Sequence, residues 1–216
     1  MFPGLTRSAR FWLLPALAGA ALLLAGCRSV PPAPLLARFE FKQPHMGTLF
    51  SITLYAASET QARTASDAAF AKIAALNAMM TDYEAESELM QLCKKPVGQP
   101  VRVSPELFDV LQKGQRLAEL SGGAFDVTIG PVVRQWRRAR RQGERPLPEQ
   151  LARAREAVGW LKLKLDGRNQ TVTLLAPNMQ LDLGGIAKGF AADQALETLR
   201  SHGLTRTLVA ASGVPA

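Results

Sequence analysis

Alternating apolar and polar residues predict the first strand of the chain. Residues 48–57 place apolar side chains on one side and mostly hydroxyl-bearing ones on the other, the period of two that a half-buried strand shows. Ser58 follows, with Gln61 three positions later, a pattern typical of a capping box at a helix start. Apolar residues then recur at helical spacing: Ala69, Ile73, Leu76 and Met80. We therefore predict a strand followed by a helix with one buried face.

Further elements follow from cap and turn signals. Ser104 before Pro105 predicts a helix start, and Gly122 marks its end after residue 120. Predicted next are a helix over 148–158, a hairpin of strands 161–166 and 171–175, a helix from about 186 to 202 and a last strand over 205–211. Because this order is neither a regular β-α-β alternation nor strand-only, we expect an α+β fold. It would be a single domain over 38–216, a mixed sheet packed with helices.

The N-terminus predicts export. Arg7 and Arg10 precede a mostly apolar run over 11–24, shorter than the roughly 20 residues of a membrane span. We therefore predict a signal peptide over 1–26 and a Pro-rich tether over 27–37. The Leu-Ala-Gly-Cys sequence ending at Cys27 resembles the lipobox of bacterial lipoproteins. This resemblance implies acylation of Cys27 and a location on the periplasmic face of a membrane; the alternative is an ordinary signal peptide with an incidental cysteine.

Charge and cysteine content narrow the possible partners. The formal net charge is +8, and much of it lies in one short segment. The arginines of this segment are Arg134, Arg137, Arg138, Arg140, Arg141 and Arg145. We interpret it as a solvated loop facing anionic headgroups, and expect no nucleic-acid partner for an exported lipoprotein. With Cys27 acylated, Cys93 is left without a disulfide partner, and we expect it to be a semi-buried structural thiol.

The stretch Asp-Leu-Gly-Gly-Ile-Ala-Lys-Gly-Phe at 182–190 is the most informative for chemistry. Glycines let a backbone approach a ligand closely, and a helix start offers free N–H groups to an anion. Lys188 would add a mobile positive charge, and Asp182 would accept hydrogen bonds or help to place a hydrated metal. The pattern therefore indicates a nucleotide phosphate site. Neither common glycine-rich phosphate motif is present, and a solvated Lys188 beside an ordinary turn is the open alternative.

Other segments, in the same order along the chain, carry a family resemblance. They are His-Met-Gly-Thr at 45–48, Met-Thr-Asp-Tyr at 80–83 continuing to Ser-Glu-Leu at 87–89, and Ser-Gly-Gly-Ala-Phe-Asp-Val-Thr-Ile-Gly-Pro at 121–131. Together with 182–190 and Asp193, they resemble the ApbE family of FAD:protein FMN transferases. The likeness runs from about residue 45 to 213. It implies the T-fold-like architecture of that family, whose members are often periplasmic lipoproteins.

The resemblance also implies a reaction. Family members bind FAD and Mg²⁺, transfer the FMN moiety to a threonine or serine hydroxyl of a target protein, and release AMP. The partner would be a flavin-acceptor protein, exported or membrane-bound, and the chain would be held at the membrane by its lipid. Two alternatives use the same pocket: a lipoprotein that binds FAD without transferring it, and one that hydrolyses FAD. An inactive fragment is a further alternative.

Site residues follow from the resemblance by position. Those expected to contact FAD are Met46, Tyr83, Ala124, Phe125, Asp126, Asp182 and Lys188, while the Gly185 carbonyl would bind Mg²⁺. Residue type alone favours a core methionine at Met46, a helix end at Tyr83 and a turn cap at Asp126. Asp193 is more typical of a structural position.

The end of the chain departs from the family pattern. Family members continue past the last predicted strand through a Gly-Gly-Asp segment, a histidine and an Asp and Thr pair that completes the Mg²⁺ site. This sequence stops at Ala216. We therefore expect the catalytic acidic and histidine residues to lie beyond Ala216, and the domain to be incomplete at its C-terminus, as in a truncated copy or a fragment.

Overall fold

The structure is a computed structural model that describes residues 35–213. Its first elements are two strands joined by a tight turn. β1 (Ala37–His45) and β2 (Thr48–Ala56) pair antiparallel along their whole length. Met46 and Gly47 form the turn with φ of 50° and 69°, and two successive positive φ values match the twist of a two-residue hairpin. The predicted signal peptide and Cys27 lie outside the described residues.

The first helix, α1 (Glu59–Met80), begins as the capping pattern predicts. The Ser58 hydroxyl accepts a hydrogen bond of 3.2 Å from the Gln61 amide. The Gln61 side chain reaches back one residue further than in the usual box and accepts 3.2 Å from the Ala57 amide. The predicted apolar face is buried in full: Ala69, Ile73, Leu76 and Met80. The strand and the helix are both confirmed.

Two helices and a short strand follow α1. They are α2 (Glu88–Cys93), β3 (Val101–Arg102) and α3 (Pro105–Leu120). Ser104 caps α3 by accepting 3.3 Å from the Leu107 amide, and its own amide and hydroxyl donate to the Glu88 carboxylate at 2.6 and 2.7 Å. The predicted cap is thus confirmed, and it also fixes the start of α2 against the start of α3.

The arginine-rich segment is helical from Arg134 to Arg141, which corrects the prediction of a solvated loop. It forms α4 (Gly130–Gln142), which ends at Gly143 with φ 69°, the left-handed conformation common after a helix. Gly130, Pro131 and Ala139 are its buried residues. A second basic helix, α5 (Pro148–Glu156), follows. Because each arginine stem spans several methylenes, a helix can carry such charges on its exposed side.

The predicted hairpin is shorter than its apolar pattern indicates. Trp160–Lys162 form a 3₁₀ turn, and the strands are β4 (Leu163–Asp166) and β5 (Thr171–Leu174). Leu161 therefore lies outside the strand, and it is 74% exposed rather than half-buried. β5 is the centre of a sheet in the order β3-β5-β4, with antiparallel pairing.

The last helix and strand complete the main layer of the fold. α6 (Ala187–Ser201) packs against α1, and β6 (Thr207–Gly213) pairs antiparallel with β2, so that the sheet order is β1-β2-β6. The core between this sheet and the two helices includes Phe50, Ile52, Leu54, Ile73, Leu76, Phe190, Ala191 and Leu199, each at most 3% exposed. The α+β class is confirmed. No helix within residues 35–213 is long and apolar enough to cross a membrane.

Candidate functional site

A cleft of about 550 Å³ lies where the first hairpin turn, the end of α1, α4 and the start of α6 meet. Its lining residues are Met46, Gly47, Asn77, Met80, Thr81, Asp82, Tyr83, Arg137, Leu183, Gly184, Ala187 and Lys188. Three residues predicted from the resemblance, Met46, Tyr83 and Lys188, are therefore brought together although long stretches of sequence separate them.

The glycine-containing turn forms one side of the cleft. The Asp182 carboxylate accepts 2.8 Å from the Gly184 amide, and the Leu183 carbonyl accepts from the amides of Ile186 and Ala187 at 2.9 and 2.7 Å. No side chain caps the start of α6, where the helix dipole is positive. Lys188 is exposed at this point. The turn therefore presents one mobile cation and an uncapped helix start to the cleft.

Arg137 joins three of the residues around the cleft. Its guanidinium donates to Asp82, donates 2.9 Å to Asp182, and lies 4.8 Å from the centre of the Tyr83 ring. The Asp182 side chain is only 9% exposed and that of Arg137 32%. Burial opposes the charge on Arg137, but hydrogen bonds and attraction from the two carboxylates outweigh it and raise its pKa. Arg137 therefore remains a cation shared by two aspartates.

Close packing of the start of α4 places Arg137 at this position. A Cβ atom on Gly130 would lie 2.5 Å from the Gln180 carbonyl oxygen, so only glycine lets α4 begin against the segment that leads to Asp182. Two helical turns separate Gly130 from Arg137. Sequence reasoning did not identify Arg137 or Asp82 as site residues. The available signals were the position of Asp82 beside Tyr83, and the Pro131 and Gly143 residues that bracket a helix.

Residues 124–126 do not line the cleft. Asp126 accepts 2.8 Å from the Thr128 amide and 2.7 Å from its hydroxyl, and the buried Thr128 hydroxyl accepts from the Gly159 amide at 2.8 Å. Asp126 thus caps a turn, as its residue type predicts. The Phe125 ring approaches the Asp182–Gly185 turn, since a Cβ atom on Gly185 would lie 3.0 Å from its Cε2 atom.

The carboxylates of the site do not form a metal centre by themselves. Within residues 35–213 no group of three or more His, Cys, Asp or Glu side chains is arranged to hold a metal ion. Asp82 and Asp182 are both occupied by Arg137. Mg²⁺ commonly takes one or two carboxylates and completes its shell with water and substrate phosphates. The described residues therefore supply at most a part of such a shell.

Cys93 is structural in its surroundings. Its sulfur accepts a hydrogen bond of 3.4 Å from the Leu181 amide. Burial raises the pKa of the Cys93 thiol above its ordinary value, with the Leu181 hydrogen bond opposing this in part. A thiol of this kind is a poor nucleophile at neutral pH, in agreement with the prediction.

Known proteins resemble this chain in sequence. The profile of the ApbE family matches residues 46–214. A FAD:protein FMN transferase of Haemophilus influenzae is 36% identical over 143 residues, which cover 64% of this chain and 41% of that protein. A FAD:protein FMN transferase of Vibrio cholerae is 31% identical over 207 residues, covering 94% and 59% respectively. The chain thus spans about two fifths to three fifths of the length of these relatives.

Solved structures are similar in fold. The apo form of the flavinyl transferase ApbE of Pseudomonas stutzeri matches with a TM-score of 0.74 and 25% identity, over 82% of this chain and 60% of that one. The flavin transferase ApbE of Vibrio cholerae matches with a TM-score of 0.70 and 27% identity, over 83% and 58%. The family profile extends from the first hairpin turn to the end of β6. The chain belongs to the ApbE family.

Proposed function

We propose that this protein transfers the FMN moiety of FAD to a threonine or serine hydroxyl of an acceptor protein and releases AMP. The observation that carries the proposal is the cleft, in which an aromatic ring (Tyr83) and an exposed cation (Lys188) lie beside a helix start that has no side-chain cap. An aromatic face suits a flavin ring, and a cation at a helix start suits a phosphate. The names of the relatives agree with this chemistry.

The proposed reaction is a displacement at phosphorus. The acceptor hydroxyl oxygen attacks the phosphorus on the flavin side of the pyrophosphate, and the bond from that phosphorus to the bridging oxygen breaks. AMP leaves with the bridging oxygen, while the hydroxyl proton is lost to a base or to solvent. The acceptor keeps FMN through a phosphodiester. Such a reaction needs neutralised phosphates and an in-line hydroxyl more than covalent participation by the protein.

Each site residue has a proposed task. Met46 and Tyr83 would pack against the flavin nucleotide, and Lys188 would pair with a pyrophosphate oxygen. Asp182 would hold the turn through its bond to Gly184 and accept hydrogen bonds from FAD. Ala124, Phe125 and Asp126 would contact another part of FAD, on the side of the turn beyond Gly185. Arg137 is a positioning residue, because it fixes Asp182 and Asp82 rather than reaching a reacting atom.

Mg²⁺ is part of the proposal. When bound, it would neutralise charge on the pyrophosphate and polarise the phosphorus that is attacked. The Gly185 carbonyl is the ligand that the family pattern assigns within this sequence. Oxygen atoms of the substrate and of water would take further positions of the shell. Residues 35–213 contain no cluster of three side-chain ligands.

Lipid anchoring completes the proposed setting. Cys27 follows a basic, then apolar, N-terminal segment, and we propose that its acylation holds the protein at the periplasmic face of a membrane. A two-signal anchor, such as more than one acyl chain, gives stable attachment. Exported or membrane-bound redox proteins would then be the acceptors within reach.

An assay that measures both products tests the function. The intact protein is incubated with FAD, Mg²⁺ and a flavin-acceptor protein, and covalent flavin is read as in-gel fluorescence after denaturation, beside released AMP. Transfer predicts fluorescence on the acceptor and an equal amount of AMP, both reduced in Lys188→Ala. AMP without fluorescence would indicate a hydrolase, and neither product in the presence of bound FAD would indicate a carrier.

A further inference from the structure

A second recess, also about 550 Å³, lies between α4 and α5. Arg134 and Arg138 line it from α4, and Arg153 lines it from α5. All three arginines are exposed. Within residues 35–213, no acidic side chain lines the recess and none of the three arginines forms an ion pair. We call this recess, defined by Arg134, Arg138 and Arg153, the arginine groove.

A smaller recess of about 220 Å³ lies between the arginine groove and the cleft of Met46, Tyr83 and Lys188. It shares Arg134 and Gln180 with the groove. The same recess shares Asp82, Tyr83 and Arg137 with the cleft. The groove is therefore a neighbour of the cleft, with Arg134 on the side that faces the intervening recess.

We propose that the arginine groove binds an acidic stretch of the acceptor polypeptide, adjacent to the threonine or serine that receives FMN. This inference rests on the proposed function, because it requires the second substrate to be a protein. Guanidinium groups are planar forks that pair with carboxylates through two parallel hydrogen bonds. Three unpaired guanidinium groups around one recess would hold aspartate or glutamate side chains and place the adjacent hydroxyl near the cleft.

The composition of the groove favours a peptide over a membrane surface. Gln135, Gln150, Asn178 and Gln180 line it together with the arginines, and side-chain amides can both donate to and accept from a peptide backbone. All of its cations are arginines, whereas attraction to anionic headgroups depends on total positive charge and not on fork geometry. A recess also exposes its charges to an inserted chain better than to a flat bilayer.

Peptide binding by two variants of equal charge tests the proposal. The groove variant is Arg134→Gln/Arg138→Gln/Arg153→Gln. The control variant is Arg140→Gln/Arg155→Gln/Arg168→Gln, which removes three exposed arginines that line neither the groove nor the cleft. The probe is a fluorescent peptide in which a serine is flanked by aspartates and glutamates, and its binding is followed by fluorescence anisotropy. The same peptide with asparagine and glutamine at the acidic positions serves as the comparison. Vesicles of equal parts phosphatidylcholine and phosphatidylglycerol are the second arm, followed by co-sedimentation.

We expect the intact protein to prefer the acidic peptide, and the groove variant to bind it roughly tenfold or more weakly. The control variant should stay within about threefold of the wild type, because it changes only the screened long-range field. Vesicle binding should fall equally in both variants. Arg153→Gln alone, at an exposed helix position, should show a smaller loss in the same direction and serves if the triple groove variant does not fold.

Three results would overturn the proposal. The first is an equal loss of peptide affinity in the two triple variants, which would show that only net charge matters. The second is equal binding of the acidic peptide and its amide counterpart by the wild type. The third is a loss of vesicle binding in the groove variant alone, which would make the groove a membrane contact. Because the peptide measurement contains no flavin, a failure of FMN transfer is read separately from a failure of the groove.

Discussion

Arg137 donates a hydrogen bond of 2.9 Å to Asp182, although 45 residues separate the two in the chain. This bond fixes α4 against the turn that leads into α6. The second arm of the same guanidinium holds Asp82, near the end of α1. One arginine therefore orients three segments that border the cleft, which makes it the most informative residue to change.

Arg137→Ala should destabilise the fold by about 1–2 kcal/mol, because hydrogen bonds to charged groups contribute on that order when partly exposed. The two aspartates would also be left without their shared cation. Arg137→Lys should recover only part of the loss, since an ammonium lacks the fork that reaches both carboxylates. Urea unfolding measures the effect. Arg140→Ala, exposed on the same helix, is the control and should change stability by less than about 0.5 kcal/mol; equal effects at Arg137 and Arg140 would refute a bridging role.

Lys188→Ala and Asp182→Ala should each weaken FAD binding by about ten- to a hundredfold, because a charge-assisted hydrogen bond contributes about 1.5–3 kcal/mol. Lys188 is exposed, so its replacement should leave the unfolding midpoint unchanged. Asp182 also holds Arg137 and Gly184, and Asp182→Ala should lower stability as well. Flavin fluorescence titration measures affinity, with Lys164→Ala, at an exposed position of strand β4, as the control. Titration curves that match the wild type would show that the turn is structural.

Cys93 gives a pH-dependent prediction. Burial raises the pKa of Cys93 in the folded state, so the thiol contributes stability below the unfolded-state pKa of about 8.5. That contribution is lost as the pH rises through the folded-state pKa. The stability difference between wild type and Cys93→Ala should therefore be constant below about pH 8 and shrink above it. Alkylation at pH 8, followed on the Cys93 peptide by mass spectrometry, should be much slower in the native protein than in denaturant. Equal alkylation rates would mean that the thiol is open to solvent.

Cys27→Ser should abolish labelling by palmitate and prevent normal cleavage of the N-terminal segment. We expect this because the sulfur of the Cys27 thiol is the atom that would be acylated. Labelling in cells with membrane extraction measures both effects, and Cys93→Ser is the matched control because it removes the other cysteine. Palmitate on neither the wild type nor the control would contradict a lipid anchor.

Local patterns predicted the elements whose information lies in neighbouring residues. β2 and α1 follow from periods of two and of about four residues, and the caps at Ser58 and Ser104 are confirmed by their hydrogen bonds. The prediction for the segment of α4 was wrong because its many arginines leave no recognisable stripe of apolar residues, although Pro131 and Gly143 mark the ends of the helix. β1 was not predicted, although Phe39 and Phe41 alternate with polar residues.

The site depends on contacts that no local pattern contains. Lys188 and Asp182 were found because they lie in one short glycine-containing stretch. Arg137 was not found, since its role arises only when α4 packs against residues near Gln180. Residue type correctly predicted a turn cap at Asp126. The resemblance, in contrast, was needed to connect Met46 and Tyr83 with the same cleft.

The fate of the flavin-side phosphorus distinguishes FMN transfer from FAD hydrolysis and from FAD binding alone. FAD with radioactive phosphorus at that position is incubated with the intact protein, Mg²⁺ and an acceptor protein, and the denatured acceptor and the released nucleotide are counted separately. FMN transfer predicts that the label stays on the acceptor, that AMP is unlabelled and equal in amount, and that acceptor label falls about tenfold or more with Lys188→Ala. Label released as free FMN, or left in intact FAD while the protein is saturated with it, would contradict FMN transfer.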